Sequence, residues 1–197
     1  MKVKVKICGI RDLESAEVAV DTGADFLGFN FVPKSKRCID PEKAKKIIDT
    51  IGKKVRTIGV FQNTPIDEVN NVADALNLDF VQLHGEENED YIKNIRRKII
   101  KKYDLELNSK MNENISYLLI DRKIQGKGEM VDLNIAKNIA KKHKIFFSGG
   151  LTPENVLYVI KKIKPFAVDV AGGIETNGKQ DLKKIKMFIK NVKKVNL

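Results

Sequence analysis

The chain has 197 residues, 42% of them hydrophobic and 32% charged; no apolar run approaches the roughly 20 residues of a membrane helix, and the lysine-interrupted start is unlike a secretory signal. The formal net charge is +11, but the lysines recur as short groups, mostly late in predicted helices, and no nucleic-acid-binding motif accompanies them. We therefore expect a cytoplasmic protein with no nucleic acid and no membrane among its partners.

Predicted strands and helices alternate along the whole chain. The apolar runs predict eight strands, at residues 3–7, 25–31, 55–61, 80–83, 99–103, 117–120, 145–147 and 166–170. Helical patterns predict about seven helices, from Asp12 to Gly23, from Asp40-Pro41, and over about residues 64–76, 88–97, 132–142, 153–163 and 180–193. Residues 104–116 are polar and show no helical stripe, so we expect a reduced or missing fifth helix.

This alternation predicts the fold. Strands that alternate with helices are parallel and joined by crossover helices. Eight such units without a linker predict a single α/β domain over residues 1–197, a (βα)8 TIM barrel. The length lies just below the usual lower end of about 200 residues, so the loops must be short. A doubly wound open sheet is the structural alternative, but its G-x-G-x-x-G motif is missing after the first strand.

Two glycine pairs follow the last two predicted strands, Gly149-Gly150 and Gly172-Gly173. Backbone amides bind a phosphate most easily where no Cβ blocks the approach, and in such barrels the loops after strands seven and eight often form a phosphate site. Each pair could instead be a tight turn. Two pairs at these strand ends favour phosphate.

Several reactive side chains lie at predicted strand ends or in the loops beyond them. Cys8 alone is typical of a small buried hydrophobe; as a catalyst it needs to be a thiolate, which Lys6 on the same strand face could favour. Asp121 is a cap or turn residue, or an acid that donates a proton. Arg37 is a solvated charge or a ligand for a carboxylate, and His84 could line the same mouth or be structural. The cysteines and histidines lack metal-ligand spacing, so we expect no metal site.

Several short motifs, taken in their order along the chain, resemble those of a known enzyme family. The motifs are Lys6-Ile7-Cys8-Gly9-Ile10, Gly28-Phe29-Asn30-Phe31 with Pro33, Ser35 and Arg37, Gly59-Val60-Phe61-Gln62-Asn63, Val81-Gln82-Leu83-His84-Gly85-Glu86, Ser148 to Val156, Val168-Asp169-Val170 with Gly173-Ile174-Glu175, and Gly178-Lys179-x-Asp181. Together they resemble the phosphoribosylanthranilate isomerase family of tryptophan biosynthesis, in order from residue 5 to about 181.

The resemblance implies an Amadori rearrangement of a small phosphorylated substrate, with no metal and no cofactor. Cys8 matches the family's general base and Asp121 its general acid, while Arg37 would hold the anthranilate carboxylate. The positions that would bind phosphate are Gly149, Gly150, Gly172 and Gly173, and those that could line the site are Lys6, His84 and Asp169. The expected oligomeric state is monomer or homodimer.

The chain departs from the family's pattern near the expected site. Ala171-Gly172-Gly173 stands where Ser-Ser-Gly or Ser-Gly is usual, and Gln125-Gly126-Lys127-Gly128 replaces a glycine-rich loop, with Met130-Val131-Asp132-Leu133 in place of an aromatic-rich segment. Three alternatives stay open: the related histidine-pathway isomerase, which typically has aspartate where Cys8 stands; a barrel that lost its activity; and a nucleic-acid-binding protein, for which a steep salt dependence would be the sign.

Overall fold

Eight parallel strands close into a barrel in chain order, in a computed structural model that describes residues 2–103, 113–121 and 132–195. The strands are β1 Lys4–Cys8, β2 Phe26–Asn30, β3 Arg56–Phe61, β4 Phe80–Leu83, β5 Lys98–Lys102, β6 Ile115–Asp121, β7 Ile145–Ser148 and β8 Ala167–Val170. The ring closes where β1 pairs with both β2 and β8, placing Cys8 opposite Gly28 and Lys6 opposite Asp169. The predicted TIM barrel is confirmed, and the open-sheet alternative is wrong.

Seven α-helices lie among the described residues. They are α1 Leu13–Thr22, α2 Pro41–Ile51, α3 Ile66–Ala75, α4 Glu89–Lys93, α5 Leu133–Lys142, α6 Val156–Ile163 and α7 Leu182–Val195. The predicted caps of α1 are confirmed, because the Asp12 carboxylate accepts a hydrogen bond from Ser15 N–H and Gly23 has a left-handed backbone.

Helix α4 is much shorter than the predicted span of 88–97. The side chain of Asn70 on α3 holds the following residues in a non-helical conformation. Its amide nitrogen donates to the carbonyl of Asn94 at 2.9 Å, and its oxygen accepts from Arg96 N–H at 3.0 Å. This tertiary contact ends the helix and leads the chain into β5. The early end could not be predicted from the sequence of the helix, because it depends on a side chain of another helix.

The barrel interior changes from apolar to polar along the strands. An apolar cluster fills its first part with Phe26, Ile58, Phe80, Ile100, Leu119, Phe146 and Ala167. Side chains two residues apart on a strand share a face, so four of these strands next point Gln82, Asp121, Ser148 and Asp169 to the same interior. A larger apolar cluster packs the helices onto the outside of the sheet. The barrel therefore has a solid base below a polar upper end.

A short hairpin that the sequence pattern did not predict follows β8. Its strands are β9 Glu175–Thr176 and β10 Lys179–Gln180, paired antiparallel. The intervening Asn177 and Gly178 have φ of 52° and 75°, the left-handed conformations that an Asn-Gly hairpin turn requires. That dipeptide is a hairpin signal, and the hairpin delays the last helix from the predicted start near 180 to Leu182.

Some predictions fall outside the described residues. The expected reduced or missing fifth helix concerns residues 104–116, of which 104–112 are not described, and the same holds for Gln125-Gly126-Lys127-Gly128 and Met130-Val131. Within the described ranges, no helix has the length and apolar character needed to span a membrane.

Candidate active site

A cavity of about 520 Å³ opens at the carboxyl ends of the barrel strands. It brings together ten of the predicted site residues, namely Cys8, Arg37, His84, Asp121, Gly149, Gly150, Asp169, Gly172 and Gly173 in its lining and Lys6 bonded to its floor. Asn30, Gln82 and Ser148 also line it. The cavity therefore holds a thiol, carboxyl groups, a guanidinium and two glycine turns in one place.

Lys6 is a fully buried cation at the base of this cavity. Its ammonium lies 2.8 Å from Asp169 Oδ2 and also donates to Gln82 Oε1. Burial lowers the pKa of Lys6, but Asp169 and Cys8 outweigh burial and raise that pKa above its ordinary value. Lys6 is therefore an ammonium ion at neutral pH, as a buried charge with a close partner should be.

Cys8 lies two residues further along β1 and faces the same interior. Burial raises the pKa of the Cys8 thiol, while the nearby Lys6 ammonium lowers it, and burial has the larger effect. The predicted influence of Lys6 therefore has the expected direction, but burial outweighs it and the pKa of the thiol lies above its ordinary value. Gly28 on β2 makes room for both side chains, because a Cβ there would lie 2.8 Å from Cys8 Sγ and 3.0 Å from Lys6 Cε.

Asp169 completes this group from β8. It is 6% exposed, and burial raises the pKa of its carboxyl group although Lys6 acts in the opposite direction. Its second oxygen, Oδ1, has no hydrogen-bond partner among the residues that the structure describes. The carboxylate thus balances the charge of Lys6.

Asp121 and His84 lie together at the ends of β6 and β4, each with about a quarter of its side chain exposed. His84 Nε2 is 4.0 Å from Asp121 Oδ2. Burial, with Lys102 as the next cause, lowers the pKa of His84 to about 4. The imidazole is therefore neutral at pH 7, and its contact with Asp121 is not an ion pair there.

Arg37 reaches the cavity from the loop after β2 and is held by Glu175, which was not among the predicted site residues. Its Nε and Nη2 donate to the two carboxylate oxygens of Glu175 at 2.8 and 2.7 Å. The aliphatic part of Arg37 crosses Gly9, where a Cβ would lie 2.6 Å from Arg37 Cδ. The sequence does carry one signal that could have located Glu175, because the Asn177-Gly178 dipeptide predicts the hairpin to which Glu175 belongs.

The two glycine turns border the cavity at the ends of β7 and β8. Gly149 and Gly150 both have positive φ, 86° and 67°, which glycine adopts without strain. A Cβ on Gly173 would lie 1.8 Å from the Leu151 carbonyl oxygen, so the second turn fits against the first only as glycine. Turns of this kind present backbone amides to an anion.

The arrangement can bind a small anion and move protons beside it. The two turns suit a phosphate, Arg37 suits a carboxylate, and Cys8 and Asp121 can accept and donate protons in the same cavity. In residues 2–103, 113–121 and 132–195, no group of three or more His, Cys, Asp or Glu side chains is placed to hold a metal ion.

Comparison with known proteins gives a consistent result. The chain matches the family model for N-(5'-phosphoribosyl)anthranilate (PRA) isomerase over residues 5–191. It is 41% identical to N-(5'-phosphoribosyl)anthranilate isomerase of Pelobacter propionicus, covering 97% of this chain and 96% of that one.

Solved structures agree. The crystal structure of phosphoribosyl anthranilate isomerase from Thermotoga maritima is similar with a TM-score of 0.88 and 39% identity, covering 98% of this chain and 99% of that one. A crystal structure of PRAI in complex with reduced 1-(o-carboxyphenylamino)-1-deoxyribulose 5-phosphate has a TM-score of 0.84 and 38% identity, with the same coverage of both chains.

Proposed function

The chain belongs to the N-(5'-phosphoribosyl)anthranilate isomerase family and is such an isomerase of tryptophan biosynthesis, and we propose that Cys8 and Asp121 perform its Amadori rearrangement as base and acid. The observation that carries the proposal is that both residues line one cavity together with Arg37 and the two glycine turns. This site fits a substrate that carries both a phosphate and a carboxylate.

Binding fixes the two ends of phosphoribosylanthranilate. The phosphate is held by backbone amides at Gly149-Gly150 and Gly172-Gly173, where no Cβ blocks their approach. The anthranilate carboxylate is bound by the part of the Arg37 guanidinium that Glu175 leaves open. The ribose then lies between these ends, beside Cys8 and Asp121.

The rearrangement needs two proton transfers from this chain. Asp121 donates a proton to the ribose ring oxygen as the bond from that oxygen to C1′ breaks, which leaves an iminium at C1′. Cys8 thiolate then removes the C2′ proton; the bonding electrons form the C1′–C2′ double bond and neutralise the iminium nitrogen. The resulting enolamine tautomerises when the C2′ hydroxyl loses a proton and C1′ gains one, giving the ketone.

Lys6 is the residue that makes a thiolate attainable in this buried place. Its ammonium lies beneath Cys8, and the attraction between opposite charges favours the ionised form of the thiol against the effect of burial. Asp169 and Gln82 hold the ammonium in position. Neutral His84 adjoins Asp121 without adding a charge to the site.

The direct test follows the loss of fluorescence of freshly generated phosphoribosylanthranilate. The wild-type chain should turn it over, and Cys8→Ser and Asp121→Asn should each lose at least about 100-fold in kcat, the usual contribution of a general acid or base. Matched controls are Cys38→Ser and Asp74→Asn, because Cys38 is exposed and Asp74 pairs with Arg96 and Arg97 outside the cavity.

Each outcome of that test has a meaning. Full activity in both site variants would disprove the assignment of acid and base, and an inactive wild type would favour a barrel that has lost its activity. The histidine-pathway alternative predicts turnover of that pathway's aminoaldose instead. The single-domain assignment, the cytoplasmic location, the oligomeric state and the absence of macromolecular partners stay predictions from the sequence.

A further inference from the structure

We propose that Glu175 is a positioning residue for the substrate's carboxylate: it binds the side-on edge of the Arg37 guanidinium so that the end of the guanidinium faces the cavity, and it links Arg37 to the phosphate turn. This inference rests on the proposed role of Arg37 in binding the anthranilate carboxylate. Glu175 itself does not line the cavity, and it acts on the substrate only through Arg37.

The geometry leaves Arg37 one way to bind a second carboxylate. A guanidinium has five N–H donors in one plane, and Glu175 takes one from Nε and one from Nη2. The side-on edge is thereby occupied, while the remaining donors lie on Nη1 and on the far side of Nη2. A substrate carboxylate in the cavity therefore meets the end of the fork, in an orientation that Glu175 determines.

The charges show why Glu175 does not cancel the attraction for an anion. Arg11 Nη2 lies 3.8 Å from Glu175 Oε1, so two guanidinium groups share one carboxylate and the cluster keeps a net positive charge. Arg11 is fixed as well, because it donates to the Lys36 carbonyl at 2.9 Å and the Gly178 carbonyl at 2.6 Å. The positive charge left over is available to the substrate.

The backbone of Glu175 is held at both sides. Glu175 pairs with Gln180 across the hairpin, and Gln180 Nε2 donates to the Cys8 carbonyl at 3.3 Å. Lys184 Nζ donates to the Glu175 carbonyl at 2.9 Å. Glu175 also follows directly after the Gly172–Ile174 turn. One short segment therefore sets the separation between the phosphate turn, Arg37 and the strand that bears Cys8.

Removing the Glu175 carboxylate should loosen Arg37 and weaken carboxylate binding specifically. We expect Glu175→Ala to raise the KM for phosphoribosylanthranilate and the inhibition constant of anthranilate by about tenfold, the value of one charge-assisted hydrogen bond. The inhibition constant of inorganic phosphate should rise less than that of anthranilate, and kcat should change less than KM, because Glu175 acts on the substrate only through Arg37. Glu175→Gln keeps one acceptor oxygen and should be intermediate.

The experiment combines these variants with Arg37→Ala and a matched control. In the Arg37→Ala background, Glu175→Ala should cost nothing further, because its only route to the substrate is gone. Asp74→Ala, which also removes a carboxylate shared by two arginines, should leave all the constants unchanged. Equal losses for phosphate and anthranilate, or an undiminished effect of Glu175→Ala in the Arg37→Ala background, would overturn the inference. A wild type without turnover would instead overturn the proposed function, while the two binding constants, measured by calorimetry, would still test Glu175.

Discussion

Replacing Lys6 by methionine should raise the pKa of the Cys8 thiol and lower the activity at neutral pH. Methionine keeps most of the volume of Lys6 but removes the charge. Opposite unit charges a few ångströms apart in a protein attract by on the order of 4 kcal/mol at an effective dielectric constant of about 20, so the loss of this charge should be easy to detect in the titration of Cys8. Asp169 has a carboxyl pKa that burial already raises, and in the variant it should take up a proton. That protonation removes a negative charge beside Cys8 and offsets part of the effect, but the pKa of the thiol should still rise, because the Lys6 ammonium is the largest influence that lowers it.

The assay is the pH dependence of alkylation by iodoacetamide, which reports the thiolate. Cys38 is also a free and exposed cysteine, so both proteins should carry Cys38→Ser and Cys8 becomes the reacting thiol. The alkylation curve of Lys6→Met should move to higher pH. The pH at which kcat/KM rises should increase in the same way. Urea unfolding checks that the variant folds, since removing one partner of a buried ion pair such as Lys6–Asp169 can cost about 3 to 5 kcal/mol. Coincident alkylation curves for a folded variant would refute the role given to Lys6.

Three further predictions concern residues in the cavity wall and beside it. His84 has a folded-state pKa of about 4 against an ordinary 6.5, so the unfolded chain binds the proton first and the stability of the fold decreases as the pH drops from 6.5 towards 4. In urea unfolding at pH 7.5 and 4.5, His84→Gln should lose less stability than the wild type, with a difference of at most about 3 kcal/mol. The same loss of stability in both proteins would contradict this prediction. Gly173→Ala places a Cβ 1.8 Å from the Leu151 carbonyl oxygen, so inorganic phosphate should inhibit it at least about tenfold more weakly than wild type, whereas an unchanged constant would remove that turn from the phosphate site. Gly28→Ala should displace Cys8 Sγ, which a new Cβ would approach to 2.8 Å, and kcat should fall while anthranilate binding is kept; wild-type kcat would show that the space is not needed.

The sequence predicted the barrel well because its strands carry a simple pattern. Parallel strands buried on both faces appear as short apolar runs, and residues such as Cys8 and Asp121 mark where each run ends. The strand ends of a closed barrel meet at one mouth, so the position along the chain was enough to bring these residues together. The two glycine pairs were found for the same reason.

The parts that the sequence did not predict depend on contacts between distant segments. Glu175 acts on Arg37 across 138 positions of the chain, and no local pattern marks that pair. The role of Gly28 could not be predicted either, because it depends on the side chains of Lys6 and Cys8, which lie beside it on the neighbouring strand. The early end of α4 likewise follows from Asn70, which binds residues 24 and 26 positions further along. The signs of the pKa shifts at Cys8 and His84 required the burial that only the folded chain has.

The central claim is that Cys8 acts as a proton-abstracting base, and the pH profile of kcat/KM for Cys8→Asp tests it most directly. A carboxylate can remove a proton from the same place but is a stronger acid than a thiol, with an ordinary pKa of about 3.9 against about 8.5. We predict that Cys8→Asp retains measurable turnover, with the limb that reports the base moved to lower pH, while Cys8→Ser stays inactive over the whole range. A Cys8→Asp variant as inactive as Cys8→Ser, or a Cys8→Ser variant with wild-type turnover, would contradict the claim.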